Sequence, residues 1–112
     1  MKFVDKPLSK KEIKEIKKEL GNYVKVTVDI EHEWIVIGCE LHADAESILF
    51  EKGSKQDDIW GGGIDLKDKI IDTTAVLNIR PRLSNDSMEL LDPDKRERYI
   101  KIVKNYFNEL WH

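Results

Sequence analysis

Val24, Val26, Val28 and Ile30 alternate with Tyr23, Lys25, Thr27 and Asp29, the two-residue period of a strand with one buried face. Trp34-Ile35-Val36-Ile37 follows the polar break Glu31-His32-Glu33, so the spacing predicts an antiparallel hairpin with His32 in a solvated turn. Upstream, Ser9-Lys10-Lys11-Glu12 has the form of a capping box, with Leu8 and Ile13 as its hydrophobic staple. It opens a helix whose apolar stripe is Ile13, Ile16 and Leu20 and whose terminator is Gly21. Leu41, Ala45, Ile48 and Leu49 recur at helical spacing up to Gly53 and predict a second helix that packs on the hairpin. Ile59 to Leu66 reads as a third strand, and Ile71, Thr73, Ala75, Leu77 and Ile79 as a fourth, stopped at Pro81. Asp92-Pro93 places a cap and a first-turn proline ahead of Tyr99, Val103, Tyr106, Phe107 and Leu110, a broad helical stripe flanked by Ile100 and Trp111.

The order helix, two strands, helix, two strands, helix predicts one α+β domain over residues 1–112. Its expected architecture is a four-stranded antiparallel sheet with the helices packed on one face; a mixed sheet crossed by the central helix is the alternative. A chain of 112 residues builds one core, so any site lies on that core's surface or between copies. Cys39, the only cysteine, shares a strand face with Ile35 and Ile37 and reads as a small buried hydrophobe in a reducing compartment. The segment Met1 to Lys6 leads into no apolar stretch, and no segment has the length to span a bilayer, so a cytoplasmic location and no membrane partner are expected. Abundant Lys, Glu and Ile beside one Gln and one Cys lean toward a thermophilic source.

Charge changes the picture in one respect. The formal net charge is -3, which argues against nucleic acid as a partner, but it is unevenly spread. Residues 1–20 carry seven Lys against four acids, and residues 29–72 carry twelve acids against four Lys. Solvated faces account for that asymmetry, and contact between copies would also use it, so a homo-oligomer is expected.

Candidate chemistry gathers between Gly38 and Asn85. If Glu40, His42 and Asp44 lie on extended backbone they share a face and could converge on a metal or a water. If a helix has already begun, His42 and Asp44 stand about 160° apart and cannot chelate together. His42 would then pair with Glu46, and the acids would serve the helix dipole. Trp60-Gly61-Gly62-Gly63 marks a bulge, a close approach of backbone, or a flat contact surface. Asn78 and Arg80 fall on one face of the fourth predicted strand; Arg80 suits a carboxylate or phosphate, or an internal ion pair with Glu40, Asp57 or Asp58. No phosphate loop, dinucleotide fingerprint, Cys-x-x-Cys or His-Glu-x-x-His spacing is present, and no cofactor is expected.

At Glu40-Leu41-His42-Ala43-Asp44-Ala45-Glu46, at Gly53 to Gly61 and at Asn78-Ile79-Arg80-Pro81 the chain resembles a family of small uncharacterised prokaryotic proteins, a domain of unknown function, over residues 25–105. The resemblance implies that these segments belong together and assigns no activity. The family pattern carries Asn-Arg where this chain has Asn85-Asp86. The leading expectation is a small binding or interaction module that holds a small-molecule ligand or partner through His42, Trp60, Asn78 and Arg80. An acid-base or metal-dependent enzyme using Glu40, His42 and Asp44 stands second. Nucleic-acid binding through Lys10, Lys14, Lys17, Arg80 and Arg82 stands third.

Overall fold

The computed structural model describes residues 2–112, so Met1 of the leading segment lies outside the described residues. A short strand β1 (Lys2–Val4) precedes helix α1 (Lys10–Leu20), and the hairpin β2 (Tyr23–Asp29) and β3 (Trp34–Ile37) follows. Helix α2 (His42–Lys52), strands β4 (Ile59–Asp65) and β5 (Ile70–Asp72), and helix α3 (Pro93–Tyr106) complete the regular elements. None of the described helices is long and apolar enough to cross a membrane.

The helix signals act as the sequence suggests. Ser9 Oγ accepts from the Glu12 amide at 3.1 Å while Glu12 Oε1 accepts from the Ser9 amide at 3.0 Å, a reciprocal capping box. Asp92 caps α3 by accepting from the amides of Asp94 and Lys95, with Pro93 in the first turn. Gly53 closes α2 at φ 106°, a left-handed conformation that glycine adopts without steric cost.

The sheet has five strands rather than four, in the order β1-β3-β2-β4-β5, and every pairing is antiparallel. β1 escaped the pattern because three residues on an edge carry no readable period. The alternation from Ile71 to Ile79 does not make a long strand. β5 ends at Asp72, and the chain continues through an isolated bridge at Thr74 and 3₁₀ turns over Val76–Asn78 and Pro81–Leu83.

The expectation of helices on one face is also corrected. β1 and β2 run the same way with β3 between them, joined through α1; β3 and β4 run the opposite way with β2 between them, joined through α2. Both connections step in the same direction across the sheet, so a common crossover hand sends the two helices to opposite faces. On one face α1 and α3 bury Val24, Val26 and Val28 under Ile13, Ile16, Tyr99, Val103 and Phe107. On the other, α2 sets Ala45 and Leu49 against Val36, Cys39 and Ile59. Cys39 is buried, but in this second cluster with Val36 and not on the face of Ile35 and Ile37, because β3 ends at Ile37 and Gly38, at φ 81°, turns the chain. Burial pushes its thiol pKa up.

The β2–β3 hairpin is pinned by Asp29, a fully buried carboxylate. Its Oδ2 accepts from Ser54 Oγ at 2.6 Å and from His32 Nδ1 at 2.7 Å, and its Oδ1 accepts from the amides of Glu31 and His32. His32 is thus tied and also stacked on Trp34, with ring centroids 4.2 Å apart, although its side chain stays partly exposed. Burial raises the Asp29 pKa, but the four donors outweigh it and hold the carboxyl below its ordinary value of 3.8. A carboxyl with a depressed folded pKa stabilises the fold above its unfolded pKa, and that stability is lost as pH falls through the folded value. Ser54→Ala removes the shortest of these bonds. The acid-unfolding midpoint followed by circular dichroism should then move to higher pH; an unchanged midpoint would remove Asp29 as the acid-sensitive group.

Candidate functional site

The three glycines of β4 lie buried beneath the side chains that build the site. β2 pairs with β4 residue for residue from Tyr23↔Asp65 to Asp29↔Ile59, so Gly61-Gly62-Gly63 is an unbulged strand. Each glycine lies beneath a different ring. A Cβ on Gly61 would come within 2.9 Å of the His42 ring, and one on Gly62 within 2.7 Å of the Tyr99 hydroxyl. One on Gly63 would overlap the Tyr23 hydroxyl. The glycine run therefore serves close approach from both faces at once.

His42 is the first residue of α2, so the extended arrangement of Glu40, His42 and Asp44 does not occur and the latter two diverge around the helix. Among the described residues no three His, Cys, Asp or Glu side chains are grouped closely enough to hold a metal ion. The His42 ring instead turns down onto the sheet, and its Nε2–H donates to the Gly62 carbonyl at 3.0 Å. That bond fixes the neutral tautomer and leaves Nδ1 as the lone-pair nitrogen. Burial holds the imidazole pKa below its ordinary 6.5, against a smaller upward pull from the bond to Gly62.

A cleft of about 390 Å³ opens beside His42, within the size range of small-molecule sites. Lys25 and Tyr23 line one side of it, Leu41 the rim, and Val76 with Leu77 the opposite side. Leu41 and Val76 are 62% and 70% exposed, which gives the mouth an apolar edge. Lys25 Nζ donates to the Glu40 carbonyl, and the Tyr23 hydroxyl donates to Asp72 Oδ2 at 2.7 Å. Burial first, and then the Asp72 carboxylate, drive the Tyr23 pKa upward, so the phenol stays protonated.

Asn78, fully buried, anchors the segment 74–77 that lines one side of this cleft. Because β5 pairs only with Gly63 to Asp65, the backbone of Gly61 faces an edge without a strand. The Asn78 side chain takes that place: Oδ1 accepts from the Gly61 amide at 2.8 Å and Nδ2 donates to the Gly61 carbonyl at 2.9 Å. The same Nδ2 reaches the carbonyls of Thr73 and Met88, each at 3.0 Å. Asn85 repeats the device one turn later, donating to the carbonyls of Asn78, Ser87 and Glu89 and accepting from the Leu91 amide. Asn85 had no signal beyond its residue type, since its partners lie in irregular backbone.

Arg80 pairs with Glu46 at 3.3 Å, not with Glu40, Asp57 or Asp58; Asp57 is taken by Arg82. Glu46 is one helical turn from His42, so the cleft and the Arg80 pair lie along one seam between α2 and the segment 73–85. Trp60 is buried on the opposite sheet face with its Nε1–H donating to the Asp57 carbonyl at 3.2 Å. Arg80 Cζ sits 4.8 Å from its ring centroid. The structure thus brings His42, Asn78 and Arg80 to one seam, with Trp60 reached through Arg80. Trp111, for its part, packs on the core beneath Lys104.

These features define an antiparallel α+β domain with a histidine-floored cleft in its smaller layer. The chain belongs to the family described as protein of unknown function (DUF5674), whose model matches residues 2–106. No curated protein and no solved structure matches it.

Proposed function

We propose that the chain is a small-molecule-binding module whose ligand occupies the cleft over His42. The observation that carries this reading is the pairing of a cleft of about 390 Å³ with a half-buried imidazole whose tautomer is set by Gly62. The cleft offers Lys25 for an acidic group, His42 Nδ1 for a donor, and Leu41, Val76 and Leu77 for an apolar body. A nuclear magnetic resonance fragment screen tests it. Saturable shifts should centre on His42, Ala75 and Leu77, and His42→Gln should weaken the best fragment at least about tenfold, roughly one lost buried hydrogen bond. A broad screen with no saturable shift at these residues would overturn the reading.

The tautomer of His42 also favours proton transfer as a second reading. A neutral imidazole with a lowered pKa and a free Nδ1 is a base at neutral pH. A bound fragment that exchanges a carbon-bound hydrogen for deuterium with the protein, and not with His42→Gln, would make the cleft catalytic. Self-association is a separate proposal, supported by the exposed apolar rim at Leu41 and Val76. A monomer mass by light scattering at high concentration would remove it.

A further inference from the structure

Among the described residues, Arg80 Nη1 is the buried side-chain donor left without a partner. The Arg80 side chain is only 8% exposed, and its hydrogen bond is a single Nη2–H donated to Glu46 Oε2 at 3.3 Å. A guanidinium carries five N–H donors, and leaving one unmet in the interior is costly. Trp60 orients the group from below, and Lys95 Nζ stands 5.1 Å from the same ring centroid. Arg82, two residues on, forks onto Asp57, whose carboxyl also feels Arg80 and Lys95. Arg80 and Arg82 are thus each matched by one carboxylate, Glu46 and Asp57, and Lys95 adds a further cation beside Trp60.

We propose that this corner is a receptor for one carboxylate group of a small molecule, which enters beside the Arg82–Asp57 pair and takes the free edge of Arg80 at Nη1. A planar carboxylate matches the guanidinium edge that Glu46 leaves open. A phosphate dianion would bring a second negative charge against the Glu46 and Asp57 carboxylates. Entry needs little disruption, because the Arg82 and Asp57 side chains are 56% and 52% exposed and exposed ion pairs contribute little to stability. The corner shares no lining residue with the His42 cleft, so it stands or falls apart from the function proposed there.

The test is titration of the full chain with sodium acetate at constant ionic strength, followed through the Trp60 indole N–H, with chloride and phosphate as the other arms. Acetate should give a saturable shift that chloride does not. Asp57→Asn frees Arg82 and removes a repelling charge, and should tighten acetate binding at least about threefold, whereas Lys95→Gln should weaken it by about as much. Both substitutions lie at exposed or half-buried positions and leave Arg80 in place. An acetate response no different from chloride, as when an ordered water meets Nη1, would overturn the proposal. So would equal constants in both variants, or tighter binding of phosphate than of acetate.

Discussion

Asn78→Ala should lower the unfolding free energy by on the order of 3 kcal/mol in urea denaturation. The size follows from which groups lose their only partner. The Thr73 carbonyl keeps the Leu90 amide and the Met88 carbonyl keeps the Ala75 amide. The Gly61 N–H and carbonyl face the edge that β5 leaves uncovered, and the Asn78 amide meets both. Two buried backbone groups would be orphaned together, at about 1–3 kcal/mol each before any water enters. A domain of this size has only about 5–15 kcal/mol to lose.

Asn78→Asp separates this account from a mere loss of packing. The acid has nearly the same shape and still accepts from the Gly61 amide, but its ionised form faces three carbonyls that now receive a donor. Protonated, it supplies a donor again. The folded pKa of the introduced carboxyl is therefore raised, so its penalty is small below the unfolded value of about 3.9 and grows as pH rises above it. The variant should be closest to the parent near pH 4 and weakest at neutral pH, relative to Asn78→Ala measured across the same range. A penalty independent of pH would show that the amide acts through volume rather than through its hydrogen bonds.

The same residue shows what can be read from local sequence and what cannot. Ser9 and Glu12, Asp92 and Pro93, and the alternating valines of β2 declare their structure within a few residues, because caps and periods are local physics. Residues 71–79 carry an equally regular alternation without forming a strand beyond Asp72. The decisive group there is Asn78, which supplies the edge pairing with one side chain where a strand would have used its backbone. Asn78 stood out as a polar residue among apolar neighbours, but its partner at Gly61 is seventeen positions away. The divergence of His42 and Asp44 depended on where α2 begins. Leu41 offers no capping side chain to mark that boundary, so the helical spacing from Leu41 does not by itself exclude an extended segment over residues 40–44. The placement of α2 opposite α1 and α3 follows from strand order, which no local pattern encodes.

The glycines of β4 extend this to a ranked outcome. In Gly62→Ala the new methyl would overlap the Asp72 carbonyl, a backbone atom, and come 2.7 Å from a Tyr99 hydroxyl held by the Val26 carbonyl at 2.7 Å. Neither neighbour is the free end of a flexible side chain, so the β4–β5 pairing must shift, with an expected loss of about 3 kcal/mol. In Gly61→Ala the methyl meets His42 Cδ2 at 2.9 Å, from which the imidazole can swing away, and Ala75 Cβ at 2.8 Å, which a small shift of the irregular segment around residue 75 must relieve. The stability loss should be smaller, about 1–2 kcal/mol, but His42 gives up both its burial and its bond to Gly62. Because burial is the larger influence, its pKa should climb back toward the ordinary 6.5, read from the imidazole carbon-bound proton shifts. The parent imidazole, with its folded pKa below the unfolded one, loses stability as pH falls from that value; Gly61→Ala should flatten this slope. If Gly61→Ala instead proved the more damaging change, or left the His42 titration in place, the ring would not rest on this glycine and the floor of the cleft would need a different origin.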